Sequence, residues 1–257
     1  MHITISTTNG SIIYTFTVLV GYLLAVCITL FTCRKFGYSR IDLLLLALVV
    51  APFGLVGARL FSFIFRLPEA IGNSQMLITL LLSGFMYYGG LIGGAIGVII
   101  YCKVKNTSTL ATLDMCALVL PVAHAIGRIG CLYNGCCYGR PTDGLGVIYT
   151  NGVWDGTNII MQGVPLVPVQ LYESIFNCIL FAILVILFIR TNTRGLIVST
   201  YLIFYSLWRT IIEFFRIDSR GTLLMLSTSQ FISVCIALPC GILILLSALN
   251  VFKSKSS

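Results

Sequence analysis

Seven stretches of about twenty or more mostly apolar residues divide this 257-residue chain, at approximately 12 to 33, 42 to 65, 76 to 101, 112 to 133, 169 to 189, 196 to 215 and 229 to 252. A bilayer core of about 30 Å needs ~20 apolar residues in helical form, and a lone strand would leave its backbone groups unpaired in lipid. The pattern therefore predicts an all-α integral membrane protein of about seven transmembrane helices. Only 9% of the residues are charged, against roughly 25% in soluble domains, so a water-facing surface cannot be built from this supply. A soluble fold is excluded, and the whole of 1–257 reads as one polytopic membrane domain without an internal repeat.

The chain carries 16 Lys plus Arg against 8 Asp plus Glu. These cations punctuate the apolar runs and form no patch, which argues against a nucleic-acid partner and for a topological role. Loops after the odd-numbered spans hold Arg34, Lys35, Arg40, Lys103, Lys105, Arg190, Arg194, Lys253 and Lys255; the opposite loops hold Arg66, Arg140, Arg216 and Arg220. Nine against four places the N-terminus outside and the C-terminus in the cytoplasm. The first span lacks a basic leader and a small-residue cleavage site, so it is expected to be retained. An outward loop at about 134–168, rich in Gly, Asn, Asp and Pro, suits turns that present polar groups to a partner.

Ionisable residues at membrane depth cost roughly 2.5 to 3.5 kcal/mol each at a helix centre, so each calls for a partner or a function. Arg59 and Asp114 stand near interfaces, where either snorkelling or an ion pair satisfies them. Arg128 and Arg209 lie deeper, and Arg209 shares a helix face with Glu213 at i, i+4. A guanidinium fork in a low dielectric suits a phosphate diester or a carboxylate. His124 stands one turn before Arg128 and is a candidate proton acceptor or a structural hydrogen-bonding group. Glycine-rich stretches, Tyr87 to Gly94 and Gly127 to Gly130, permit close helix approach and leave room for a lipid head group.

Seven of the ten cysteines fall within or at the ends of apolar spans and read as packing residues. Cys131, Cys136 and Cys137 cluster at the end of the fourth span. Their C-x4-CC spacing lacks a paired C-x2-C or a second histidine, so no metal site is expected; a disulfide or a reactive thiol is the expectation instead. No organic cofactor is indicated.

Several motifs in order, Tyr88-Gly89-Gly90-Leu91-Ile92-Gly93, Gly127-Arg128-Ile129-Gly130-Cys131-Leu132-Tyr133-Asn134-Gly135, Gly139-Arg140-Pro141-Thr142, Gln170-Leu171-Tyr172-Glu173, Arg209 through Arg216 and Leu226 through Gln230, resemble those of the bacterial prolipoprotein diacylglyceryl transferases. The resemblance covers nearly the whole chain. It implies an enzyme of the bacterial cytoplasmic (inner) membrane, with its active site facing the outer side. Its donor would be phosphatidylglycerol or another anionic phospholipid, and its acceptor the lipobox cysteine in the signal peptide of a prolipoprotein.

By the same resemblance Arg128 and Arg209 would hold the phosphate, and Tyr88 occupies a catalytic position; His124 is a further catalytic candidate by its place one turn from Arg128. Tyr14, Gly89, Asn134, Gly139, Glu173, Glu213 and Arg216 would bind substrate. Three positions depart from the family pattern: Tyr88 stands where it has His, Cys131 where it has Asn and Cys136 where it has Glu. The loss of that histidine removes the residue most readily cast as a base, and His124 is the candidate to take over that role. The departures leave open an enzyme of the same fold with a different acceptor, or a lipid-binding or transport protein without the chemistry.

Overall fold

A computed structural model describes residues 2–70, 86–154, 159–217, 222–223 and 226–256. Seven helices in it are long and apolar enough to cross a membrane. They are α1 (Gly10–Thr32), α2 (Arg40–Ala70), α3 (Tyr87–Lys105), α4 (Thr109–Asn134), α5 (Val169–Arg190), α6 (Leu196–Glu213) and a last span made of α7 (Thr228–Ile232), a π-helical turn (Ser233–Ala237) and α8 (Leu238–Ser256). The all-α membrane architecture expected from the apolar runs is thus the one observed. The third helix differs in register: the expected stretch from 76 to 85 lies outside the described residues. Met86 is extended (φ −121°, ψ 121°), so α3 begins at Tyr87 and runs past residue 101 to a left-handed Asn106. Lys103 and Lys105 extend the last turn, where cations complement the helix dipole.

The chain falls into two compact units, Leu30–Met115 and the remainder, Met1–Thr29 with Cys116–Ser257. In the former, Ser39 opens α2 through reciprocal bonds with Asp42: the Ser39 backbone N–H donates to Asp42 Oδ2 at 2.9 Å, and the Asp42 N–H donates to Ser39 Oγ at 3.2 Å. Helices α2 and α3 approach at backbone distance. A Cβ on Gly93 would collide with the Phe53 carbonyl and lie 3.1 Å from Gly57 Cα, and one on Gly97 would come within 3.1 Å of Val50 Cα. Gly89 likewise faces Gly57 and Phe61. These glycines are small-residue packing positions, the membrane device for bringing two helices together. Asp114 is buried here, 2% exposed, so it does not snorkel, whereas Arg59 is exposed.

In the larger unit, α1 lies on α4 through glycines. A Cβ on Gly10 would meet Asn134 Cα at 2.7 Å, one on Gly21 the Ala123 carbonyl at 3.0 Å, and one on Gly130 the Thr17 hydroxyl and Tyr14. The loop expected to be mainly turns carries a small sheet. Strand β1 (His2–Ile5) runs parallel to β2 (Gly146–Tyr149), pairing Ile5 with Tyr149, and β2 pairs antiparallel with β5 (Pro165–Leu166). Two short hairpins, β3 (Val153–Trp154) with β4 (Ile159–Ile160) and β6 (Thr222–Leu223) with β7 (Leu226–Ser227), complete the strands among the described residues. One face of the sheet buries Ile5, Leu132, Tyr138, Val147, Tyr149, Val153 and Leu166 together, tying the chain's first residues to the end of α4.

Candidate active site

Helix α5 buries Gln170, Glu173, Ser174 and Asn177 at one end and Leu180 and Leu184 at the other. The i, i+3, i+4, i+7 spacing sets these side chains on a single face, so the polar half of that face enters the protein and not lipid. Helix α6 meets it with Tyr201, Tyr205, Arg209 and Ile212, also buried at helical spacing. Their partners come from α4 and from the start of the last span.

Glu173 is the hub. Its residue is fully buried, and three guanidinium groups converge on its carboxylate: Arg128 Nε at 2.9 Å, Arg216 Nη1 at 3.6 Å and Arg209 Nη1 at 3.7 Å. Glu213 takes Arg209 Nη2 at 2.7 Å across one helical turn. The same Arg209 nitrogen donates to Ser229 Oγ at 3.1 Å. A Ser227–Gln230 capping box fixes the helix start that presents Ser229. Three arginines and two glutamates leave the group with a net charge of +1.

Arg128 directs its Nε–H at His124 Nε2, 3.0 Å away, while Glu173 Oε2 flanks the same nitrogen. The imidazole nitrogen facing Arg128 is therefore an acceptor whose lone pair is occupied. Tyr205 packs against the ring at 5.6 Å and stacks in turn on Tyr201. In this geometry His124 positions Arg128.

The end of α4 is shaped by a Schellman cap. Gly135 has φ +67°; its N–H donates to the Leu132 carbonyl (3.4 Å), and the Cys136 N–H donates to the Cys131 carbonyl (3.2 Å). This closure folds Cys136 back over Cys131, and Cys137, itself left-handed at φ +60°, completes a cluster whose three Sγ atoms lie within 4.8 Å of one another. Buried Gln170 anchors the turn, donating to the Cys136 carbonyl at 2.8 Å and to the Tyr149 hydroxyl at 3.2 Å. None of the three cysteines forms a disulfide. The Cys136 thiol lies above the ordinary range: its hydrogen bond with Cys131 lowers it, but the bond with Cys137 and burial outweigh that effect. Burial likewise pushes the Tyr149 phenol up.

The remaining sequence candidates are placed as follows. Asn134 ends α4 at the cap, against Gly10 of α1. Tyr14, 39% exposed, leans on Gly130. Gly139 threads between Val167 and Phe215, where a Cβ would lie 2.7 Å from the Phe215 carbonyl; the absent side chain serves this backbone crossing. Arg140 lies over the Phe215 ring at 5.5 Å. Tyr88 (6% exposed) and Gly89 belong to the Leu30–Met115 unit. Gln170 and Ser229 join the site without being among the sequence candidates; the i, i+3 spacing of Gln170 and Glu173 is a legible signal for the first, and nothing in the local pattern marks the second.

A polytopic membrane protein that buries an excess of guanidinium charge among its helices has the makings of a site for an anionic lipid. Residues 5–246 match the family model described as prolipoprotein diacylglyceryl transferase. The chain is 39% identical over 215 residues to the phosphatidylglycerol–prolipoprotein diacylglyceryl transferase of Clostridium tetani, covering 83% of this chain and 84% of that protein. It is 33% identical over 241 residues to the second such transferase of Clostridium perfringens (92% and 91% covered), and 32% identical over 216 residues to that of Clostridioides difficile (83% of each). The chain belongs to the prolipoprotein diacylglyceryl transferase family.

Proposed function

We propose that this protein transfers the diacylglyceryl group of phosphatidylglycerol to the lipobox cysteine of a prolipoprotein. The site would face the outer side of the bacterial cytoplasmic membrane, with the N-terminus outside and the C-terminus in the cytoplasm. In the reaction the acceptor sulfur attacks the diacylglyceryl carbon bonded to the phosphate oxygen. A C–S bond forms, the C–O bond breaks, glycerol phosphate leaves with the bonding pair, and the thiol proton is released.

The observation that carries this reading is the buried group of Arg128, Arg209 and Arg216 around Glu173 and Glu213. Its spare positive charge suits one phosphodiester, and charge gathering on the departing phosphate is stabilised by guanidinium groups already oriented before reaction. His124 and Ser229 hold Arg128 and Arg209 in place. Tyr14 and Asn134, at the α1–α4 contact, belong to the head-group side of the site.

Expression in a bacterium depleted of its own transferase tests the proposal. The expected result is prolipoprotein bearing the mass of a diacylglyceryl group on its lipobox cysteine. Unmodified prolipoprotein, with this chain present in the membrane and the Clostridium tetani relative restoring modification, would overturn it. The changes at Tyr88, Cys131 and Cys136 would then direct the search to another acceptor.

A further inference from the structure

The C-x4-CC spacing argued against a metal in the linear sequence, because a zinc site needs ligands the motif does not visibly supply. The fold answers part of that objection: it gathers the three sulfurs into one cluster and leaves a fourth position for an exchangeable ligand. The Schellman cap brings Cys136 over Cys131, and the left-handed Cys137 supplies the third sulfur. We propose that Cys131, Cys136 and Cys137 form a three-thiolate site for a thiophilic metal ion of the Zn²⁺ or Cu⁺ class.

Four observations support it. Metal–thiolate bonds of about 2.3 Å set three sulfurs roughly 3.8 to 4.0 Å apart in tetrahedral or trigonal geometry, and the three Sγ atoms here already lie within 4.8 Å. The backbone is fixed independently of any ion, by the two cap bonds and by Gln170, which is 1% exposed, donating to the Cys136 carbonyl. Cys137 holds a φ of +60°, a conformation that non-glycine residues other than Asn and Asp seldom adopt and that persists where a site needs it. Finally, Cys131 is buried while Cys136 and Cys137 are partly exposed, so the cluster is not sealed from its surroundings.

The chemistry balances simply: a Zn²⁺ ion displaces three thiol protons and leaves a complex of net charge −1, and Cu⁺ leaves −2. Arg128, three residues before Cys131 on the same helix, would offset part of that charge. Soft thiolate donors select such ions over Mg²⁺ and Ca²⁺, which prefer oxygen. With three protein ligands, Zn²⁺ retains one open position, as in sites that take an exchangeable ligand.

The test is titration of the reduced full-length protein in detergent with Zn²⁺ alone and with Cu⁺ alone, each against a chromophoric chelator. Co²⁺ substitution supplies a thiolate charge-transfer band as the signature of sulfur ligation. One equivalent of Zn²⁺ or Cu⁺ per chain is expected, and it should persist when the exposed Cys27, Cys178, Cys235 and Cys240 are changed together to Ser. Cys137→Gly removes a ligand while suiting the positive φ, so this variant should fold as well as the parent and lose the equivalent. Uptake of neither ion by the reduced parent, or retention of the equivalent in folded Cys137→Gly, would overturn the proposal. So would a Cys131–Cys136 disulfide in protein isolated from cells without reductant.

Discussion

Replacing Glu173 by Gln keeps the shape of the hub and removes its charge. The five-group cluster then passes from a net +1 to +2, with Arg128, Arg209 and Arg216 left around a neutral amide. Each lost pair, 2.9 to 3.7 Å apart in the parent, is worth about 4 kcal/mol of gross attraction at an effective dielectric of about 20. Most of that gross energy offsets the desolvation of the ions, and breaking a buried pair from one side typically costs about 3 to 5 kcal/mol net. At roughly 2 to 4 °C per kcal/mol for a chain of this size, Glu173→Gln should lower the thermal midpoint by roughly 6 to 20 °C. The assay is the loss of the monodisperse peak on size-exclusion chromatography after stepwise heating in detergent. Adding Arg216→Gln returns the cluster to +1, so the double variant should be more stable than the sum of the single changes implies, by about 0.5 to 3 kcal/mol. A Glu173→Gln midpoint within 2 °C or so of the parent, or strict additivity, would refute the hub.

Arg209→Lys keeps the charge but loses the fork that reaches Glu213, Ser229 and Glu173 together; transfer should fall by roughly 10²-fold or more with the protein still folded, read as initial rates. His124→Gln retains an acceptor for the Arg128 Nε–H and should lose far less activity than the roughly 10²- to 10⁴-fold expected on removing a general base, whereas His124→Leu should fall well below it; equal and complete loss in both would mark His124 as a base instead. Gly93→Leu, which collides with the α2 backbone, should prevent recovery of folded protein from membranes. Gly127→Ala, whose Cβ meets nothing within 4 Å, should be neutral or stabilising by about 0.5 to 1 kcal/mol in the heating assay.

The spans were legible because a bilayer demands one pattern, about twenty apolar residues, that few other constraints produce. Arg128, Arg209, Glu173 and Glu213 were legible for the converse reason: charge inside such a run is expensive, and the structure brings all four into contact. The sheet was not. Its parallel pairing joins His2–Ile5 to Gly146–Tyr149 across more of the chain than any local periodicity records, and each strand is only four residues long. Glycine roles were half legible: the glycine-rich stretch holding Gly89 and Gly93 signals close approach, but their partners Gly57 and Phe53 follow only from the fold. The thiol cluster depended on backbone geometry: C-x4-CC becomes a triangle of sulfurs only once Gly135 and Cys137 are both left-handed.

The most direct measurement of the central claim is transfer of labelled diacylglyceryl from phosphatidylglycerol to a lipobox peptide by the purified protein, beside Arg128→Ala. The buried arginine cluster predicts thioether product and an equal amount of released glycerol phosphate from the parent, and neither from a folded Arg128→Ala. Product formed equally by both proteins would contradict the role given to the cluster, and product from neither, with an active relative as reference, would contradict the proposed transfer.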